Sequence, residues 1–220
     1  MNWEQIFTLV GNATLETLIM VFFSTLFSVI LGLPLGILIC VTDPVAGIMP
    51  KPVLNQVLNR IVDVLRSFPF LILMIILFPL SRLIIGTTIG TTATIVPLSI
   101  AAAPFVARII ETALKEIDPG VIQAARAMGS TNMQIILKVL IPEALPSLVD
   151  GITLTIINVI GYSAMAGTIG GGGLGDIAVR YGYYRYQTDI MIVTVILLIV
   201  LIQIFQNSGM AIAKKFDHKK

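Results

Sequence analysis

The sequence predicts an all-α, polytopic membrane fold, and three observations carry that prediction. Apolar residues make up 56% of the 220 residues and charged residues only 12%, about half of the roughly 25% carried by a water-soluble domain; the mean hydropathy is +0.97. The apolar residues gather into five runs, each near the ~20 residues that a spanning helix needs. Lysine and arginine fall unevenly across the segments between those runs, the pattern that orients membrane helices.

The first run covers 15–41, and Gly32, Pro34 and Gly36 predict a bend in it. Asp43, Pro44, Pro50 and Pro52 mark the loop after it. The second, 58–80, opens with Arg60, Asp63 and Arg66. A charge at mid-bilayer costs about 2.5–3.5 kcal/mol, so these three are placed at or beyond the interface. Asp63 lies three residues from each arginine and is able to pair with either; an interfacial charge cluster is favoured over a substrate site. The third run, 89–110, contains Pro97 and Pro104. The fourth, 148–166, ends in the glycine-rich stretch 167–175, and the fifth covers 190–205 before a tail bearing Lys214, Lys215, His218, Lys219 and Lys220.

With the N-terminus outside, five spans put Lys51, Arg60, Arg66, Arg108, Lys115, Arg126, Lys138 and the four tail lysines on the inner side. Only Arg82, Arg180 and Arg185 of the 14 Lys and Arg are then outside. The expected topology is therefore N-out, C-in, and the segment 118–142 is cytoplasmic.

Much chemistry is excluded. Cys40 is the single cysteine and His218 the single histidine, so no disulfide, cysteine metal site or histidine-based catalytic constellation is available within the chain. No catalytic residue and no metal ligand is assigned. The net charge of +2 does not suggest nucleic acid. No Lys or Arg precedes the first apolar run, so a signal peptide's basic region is not expected. Gly170, Gly172 and Gly175 fit G-x-G-x-x-G, but a spanning helix precedes them where a dinucleotide site needs a strand. The glycines instead predict a flexible re-entrant or turn segment. There is no G-x-x-x-x-G-K-[ST], hence no place for ATP.

Three groups of residues remain as site candidates. The first is the stretch 118–142, read as two short helices. Asp118 caps the first, Pro119 suits its first position and Gly129 stops it; Ala124, Ala125 and Ala127 give it a small face. Thr131 and Gln134 have capping-box spacing, and the second helix runs from there to Pro142. The pair reads as a docking element. The second group is Thr155, Asn158, Tyr162 and Met165, spaced 3, 4 and 3 along the fourth span and so on one face. That face either lines a translocation pathway, with Met165 as its gate, or packs against another helix. The third is Arg180 and Arg185 among Tyr181, Tyr183, Tyr184 and Tyr186, which form an interfacial aromatic belt or a contact surface for an external protein.

Gln123-Ala124-Ala125, Gly129, Val139, Ile141 and Pro142 match in spacing the E-A-A, three residues, G, nine residues, I-x-L-P loop of permease subunits of bacterial ATP-binding-cassette importers. The chain resembles that family and departs from it with Gln for Glu, Val for Ile and Ile for Leu. The order of RSFPFLILM, IVPLSIAAAPFVAR, QAARAMG, IPEALPSLV and GYSAMAGTIGGGGLG, followed by RYGYYRY, looks like the membrane subunit of bacterial methionine importers. The resemblance implies that the first loop helix, with Pro119, Gln123, Ala124, Ala125, Met128, Gly129 and Pro142 as coupling residues, seats in a cleft of an ATPase. It implies a homodimer of five-helix subunits in the bacterial inner or plasma membrane, two cytoplasmic ATPase subunits that hold ATP and Mg²⁺, and an external substrate-binding lipoprotein that delivers methionine. The permease itself is then no enzyme and carries no cofactor. The competing readings are the same machine with another amino acid or small organic ion, and a secondary transporter or channel. A membrane enzyme lacks the acid–base groups it would need.

Overall fold

The computed structural model describes residues 3–216; His218, Lys219 and Lys220 of the expected tail lie outside them. Among the described residues the architecture is entirely helical. α1 (Trp3–Val41) is followed by α2 (Pro52–Ser67), α3 (Phe70–Ile85), α4 (Thr91–Lys115), α5 (Pro119–Ala127), α6 (Asn132–Ile135), α7 (Ile141–Glu143), α8 (Leu145–Gly167), α9 (Gly173–Ile177) and α10 (Thr188–Phe216). Four of these, α1, α4, α8 and α10, are long and apolar enough to cross a membrane singly, and α2 with α3 makes a fifth crossing only as a pair.

That pair corrects the predicted second span. Residues 58–80 are not one helix, because α2 and α3 meet at 106°. Phe68 and Pro69 take extended backbone angles at the break, as expected for a proline and the residue before it. α2 is amphipathic: Asn55 and Val62 face the body, while Val53, Val57, Ile61 and Val64 are exposed.

The centre of the molecule is the parallel pair α1 and α4. The glycines that flank the proline of α1 also have a packing role here. α1 continues through Pro34, and Gly32 and Gly36 are its contact points with α4. A β-carbon on Gly32 would stand 2.7 Å from the Ala103 carbonyl oxygen, and one on Gly36 would stand 2.5 Å from that of Ala107. Only hydrogen fits at that spacing, so two glycines four apart let the backbones meet. α8 runs back along α4, and α10 packs on α8 with Gly209 against Thr153.

Two apolar clusters close the ends. At one end, which also carries α5, Val41, Ile110, Leu114, Ile117, Ala125, Ile135, Leu140 and Leu148 pack together. At the other, Ile6, Val10 and Ala13 of α1 meet Leu174, Ile177 and Ile190. The glycine-rich stretch at this end is a built turn. Gly90 donates its amide to the Gly170 carbonyl (2.9 Å). At the start of α9, the Gly173 amide donates to the Glu16 carboxylate (2.7 Å) and the Leu174 amide to the Thr17 hydroxyl (2.9 Å). Two of the amides left over at a helix start are thus met by another helix. Gly175 lies where a side chain would strike the Ala164 carbonyl, at 2.2 Å.

Candidate functional site

The loop 118–142 forms much as its sequence dictates. The Asp118 carboxylate accepts from the Gly120 amide (2.7 Å), and Pro119 occupies the first helical position. α5 ends with Gly129 at φ +82°, the Gly129 amide donating to Arg126 (2.9 Å) and the Ser130 amide to Ala125 (3.1 Å). This is the doubly bonded glycine stop of a Schellman motif. Thr131 and Gln134 exchange the two bonds of a capping box, at 2.8 and 3.3 Å.

Two expectations for this loop need correction. The second helix does not stop at Pro142. A π-turn over Ile136–Leu140 widens the backbone, with the Ile141 amide donating back to Ile136, and α7 and α8 carry the chain onward with a single turn residue, Ala144, between them. Proline lacks the amide that an ordinary turn would use here, and the wider turn absorbs that loss. The small face is also split. Ala125 is buried in the apolar cluster of this end, whereas Pro119, Gln123, Ala124, Ala127 and Met128 are exposed. Arg126, which neighbours them, donates to the Ile48 carbonyl (2.8 Å) and ties α5 to the loop after α1. The outward surface of α5 is therefore small-sided and apolar, with Met128 79% exposed at its end, and the Gln123 side chain has no partner among the described residues.

Beneath α5 lies a charge network that sequence spacing does not reveal. Asp63 pairs with neither Arg60 nor Arg66. It accepts from Arg108 of α4 at 2.6 Å, and Arg108 also meets Glu111 (2.5 Å) and the Asn59 amide oxygen (2.9 Å). Glu111, nearly fully buried, shares Lys115 (2.9 Å) with Asp43 (2.8 Å). The Lys115 hydrogen bond, with the Ala46 and Val45 amides, holds the Asp43 carboxyl down at about 2. The partners are 45 positions apart for Asp63 and Arg108, a pairing that only the docking of α2 on α4 creates.

The four residues expected on one face of α8 are not equivalent. Thr155 is buried, its hydroxyl donating to the Gly151 carbonyl (2.9 Å), and so belongs to helix packing. Asn158 and Tyr162 are half-buried. The Tyr162 ring stacks on Phe70 of α3 (4.3 Å between centroids, 7° between planes). Met165 is exposed and continues a row of Leu154, Asn158 and Gly161 at spacings of 4, 3 and 4. Leu154 and Gly161 were missed because neither carries a polar signal.

The aromatic segment after α9 begins with a π-turn, Ala178–Tyr183. Arg180 pairs with Asp176 (2.5 Å), Arg185 lies over the Tyr181 ring (4.6 Å), and Tyr183 and Tyr184 meet edge to face (5.3 Å). Tyr183, Tyr184 and Tyr186 are strongly exposed. No cluster of three or more His, Cys, Asp or Glu suited to a metal occurs among the described residues.

An all-helical body with four or five apolar spans defines a class, the multi-pass membrane proteins. The chain belongs to the binding-protein-dependent transport system inner membrane components, whose family model matches residues 32–218. It is 50% identical over 208 residues to a protein of Vibrio cholerae described as a probable D-methionine transport system permease, with 94% of this chain and 92% of that one covered. To a Pasteurella multocida protein of the same description it is 48% identical, covering 98% and 99%. Among solved structures, a chain of the MetNI methionine ABC transporter in inward-facing conformations aligns with TM-score 0.96 and 45% identity, over 99% of this chain and 100% of that one. An amino acid ABC transporter solved with histidines aligns with TM-score 0.77 at 21% identity, a likeness of fold alone.

Proposed function

We propose that this chain is the membrane subunit of an ATP-driven importer of methionine, in D or L form, and close derivatives. It would work as a homodimer with two cytoplasmic ATPase subunits and an external substrate-binding lipoprotein. One observation carries the reading: identity near 50% extends along nearly the whole length of permeases described as transporting D-methionine. The permease is no enzyme in this scheme, and ATP and Mg²⁺ belong to the partners.

The geometry of α5 fits a lever. Its caps are internal, its inner side is anchored through Ala125 and Arg126, and Pro119, Gln123, Ala124, Met128 and Gly129 are free to be gripped. Pro142 supports this surface indirectly, since the π-turn beside it joins the loop to α8 as one stiff piece. Closure of the ATPase pair would move α5 and, through that join, swing α8 with Asn158, Met165 and the neighbouring Tyr162. Those three would line the pathway, with Met165 as its gate. The charge distribution supports the N-out, C-in orientation that puts α5 beside the ATPase and leaves Arg180, Tyr183, Tyr184 and Arg185 outside for the binding protein.

The test is reconstitution of the permease with its ATPase and binding protein in liposomes. ATP-dependent accumulation of labelled methionine is expected. Uptake that persists without the ATPase would favour a secondary transporter, and uptake of a different solute with none of methionine would reassign the cargo.

A further inference from the structure

Two cavities that share Arg66 and Phe105 lie beside α8. The larger, about 430 Å³, opens between α4 and α8 at the α5 end and is lined by Arg66, Phe105, Arg108, Glu116, Asp150 and Leu154, among others. The smaller, about 270 Å³, shares Arg66 and Phe105 with it and adds Phe70 and Tyr162. The surface thus runs from the stacked Tyr162 and Phe70 rings past Arg66 to Asp150.

Most charge in the larger cavity is already used. Arg108 is held by Asp63 and Glu111, and Glu116 accepts from the Ser147 hydroxyl (3.2 Å). Arg66 and Asp150 are different. Among the described residues neither has a hydrogen-bond or ion-pair partner, since Asp63, the acid nearest Arg66 in sequence, is bound to Arg108. One unpaired guanidinium and one unpaired carboxylate thus line the same cavity, a short step from aromatic walls.

We propose that Arg66 and Asp150 form a transient site for a free zwitterionic amino acid leaving the pathway. Arg66 takes the α-carboxylate through its planar fork of donors. Asp150 takes the α-ammonium, and the Phe105, Phe70 and Tyr162 rings receive the side chain, where a thioether makes favourable ring contacts. Two exposed charges in an open cavity bind weakly, which suits a site that must release its ligand. The proposal rests on the importer reading for its substrate, and it places selectivity for the free amino acid group within the membrane subunit.

The experiment uses the complete complex. In a Cys40→Ser background, a thiol introduced by Leu154→Cys reports the cavity through its rate of maleimide labelling. Methionine is expected to slow labelling, whereas N-acetylmethionine, without an ammonium, and methionine methyl ester, without a carboxylate, leave it unchanged. Arg66→Gln and Asp150→Asn should each abolish protection and lower uptake about ten-fold, the loss of one charge-assisted hydrogen bond. Arg66→Lys and Asp150→Glu should recover most of it, which a folding defect would not allow. Absent protection by methionine, equal protection by the capped analogues, or normal uptake in both neutral variants overturns the site. Labelling needs no ATP, so a complex that shows protection but imports nothing contradicts the importer reading and leaves the site standing.

Discussion

At the scale of single residues, Gly129 and Asp43 show two ways in which one side chain fixes a loop. Gly129 has open space around it, so a β-carbon would meet nothing within 4 Å. Its requirement lies in the backbone, at φ +82°, where an L side chain costs about 1–2 kcal/mol. Gly129→Val should therefore leave membrane insertion intact while loosening the end of α5, seen as ATP hydrolysis that no longer drives uptake; wild-type coupling would contradict the role given to this turn. Asp43 acts through charge. Its carboxyl is lowered from 3.8 to about 2, first by the Lys115 hydrogen bond. A depressed acid stabilises the fold fully above its ordinary value, and that share is lost as the pH falls toward the lowered one. The thermal stability of the detergent-solubilised protein should thus fall between about pH 4 and pH 2, and fall less in Asp43→Asn. Equal slopes in the two proteins would show that the clasp does not hold.

At the scale of elements, α5 has two faces with separable consequences. Ala124 points outward and Ala125 inward. Ala124→Phe should weaken ATPase binding with little change in melting temperature. Ala125→Phe overfills the cluster around Leu114 and Ile135, and overpacking of that kind costs about 1–3 kcal/mol, so it should lower the melting temperature as well. Matching effects of the two substitutions would mean that the helix is oriented differently. Elements such as this one were legible in the sequence because their signals are local. Asp118, Pro119, Gly129, Thr131 and Gln134 each act within three positions of themselves, and all appear in the structure as their types predict. The break at Pro69 and the π-turn before Pro142 turn on local backbone chemistry, whereas the remaining features depend on a partner remote in sequence. The close contacts of Gly32 and Gly36 come into view only when α4 is laid against them. Asp63 has two arginines close by in sequence and bonds to a third that only folding brings near. Thr155 shares the spacing of Tyr162 and Met165, yet whether a given side of α8 is open or covered depends on the helices packed around it, which no single helix encodes.

At the scale of the whole molecule, α1 stands apart. Its 39 residues make a rod about 58 Å long, against a hydrocarbon core of about 30 Å, so it must tilt strongly or project well beyond the bilayer. Its far half meets α9 and α10, through Ile6, Val10 and Ala13 against Leu174, Ile177 and Ile190, and through Glu16 and Thr17 on the amides of Gly173 and Leu174. The stretch matched by the family model begins only at residue 32, inside this helix. A chain trimmed to 32–218 would keep the coupling loop and every residue of α8, but the start of α9 would lose both of its cross-helix acceptors. With about ten residues of α1 left, too few to cross a bilayer, that chain should fail to assemble. In the full chain, Glu16→Ala with Thr17→Ala removes the same two acceptors and should leave insertion and ATPase binding intact while the α8–α9 turn becomes open to protease or to exchange of its amide hydrogens. Protection equal to that of the unaltered chain would show the clasp to be dispensable. The minimal stretch that identifies this protein's kind is therefore shorter than the minimal stretch that builds it, and the difference is the part of α1 that reaches across to the opposite end of the chain and holds it shut.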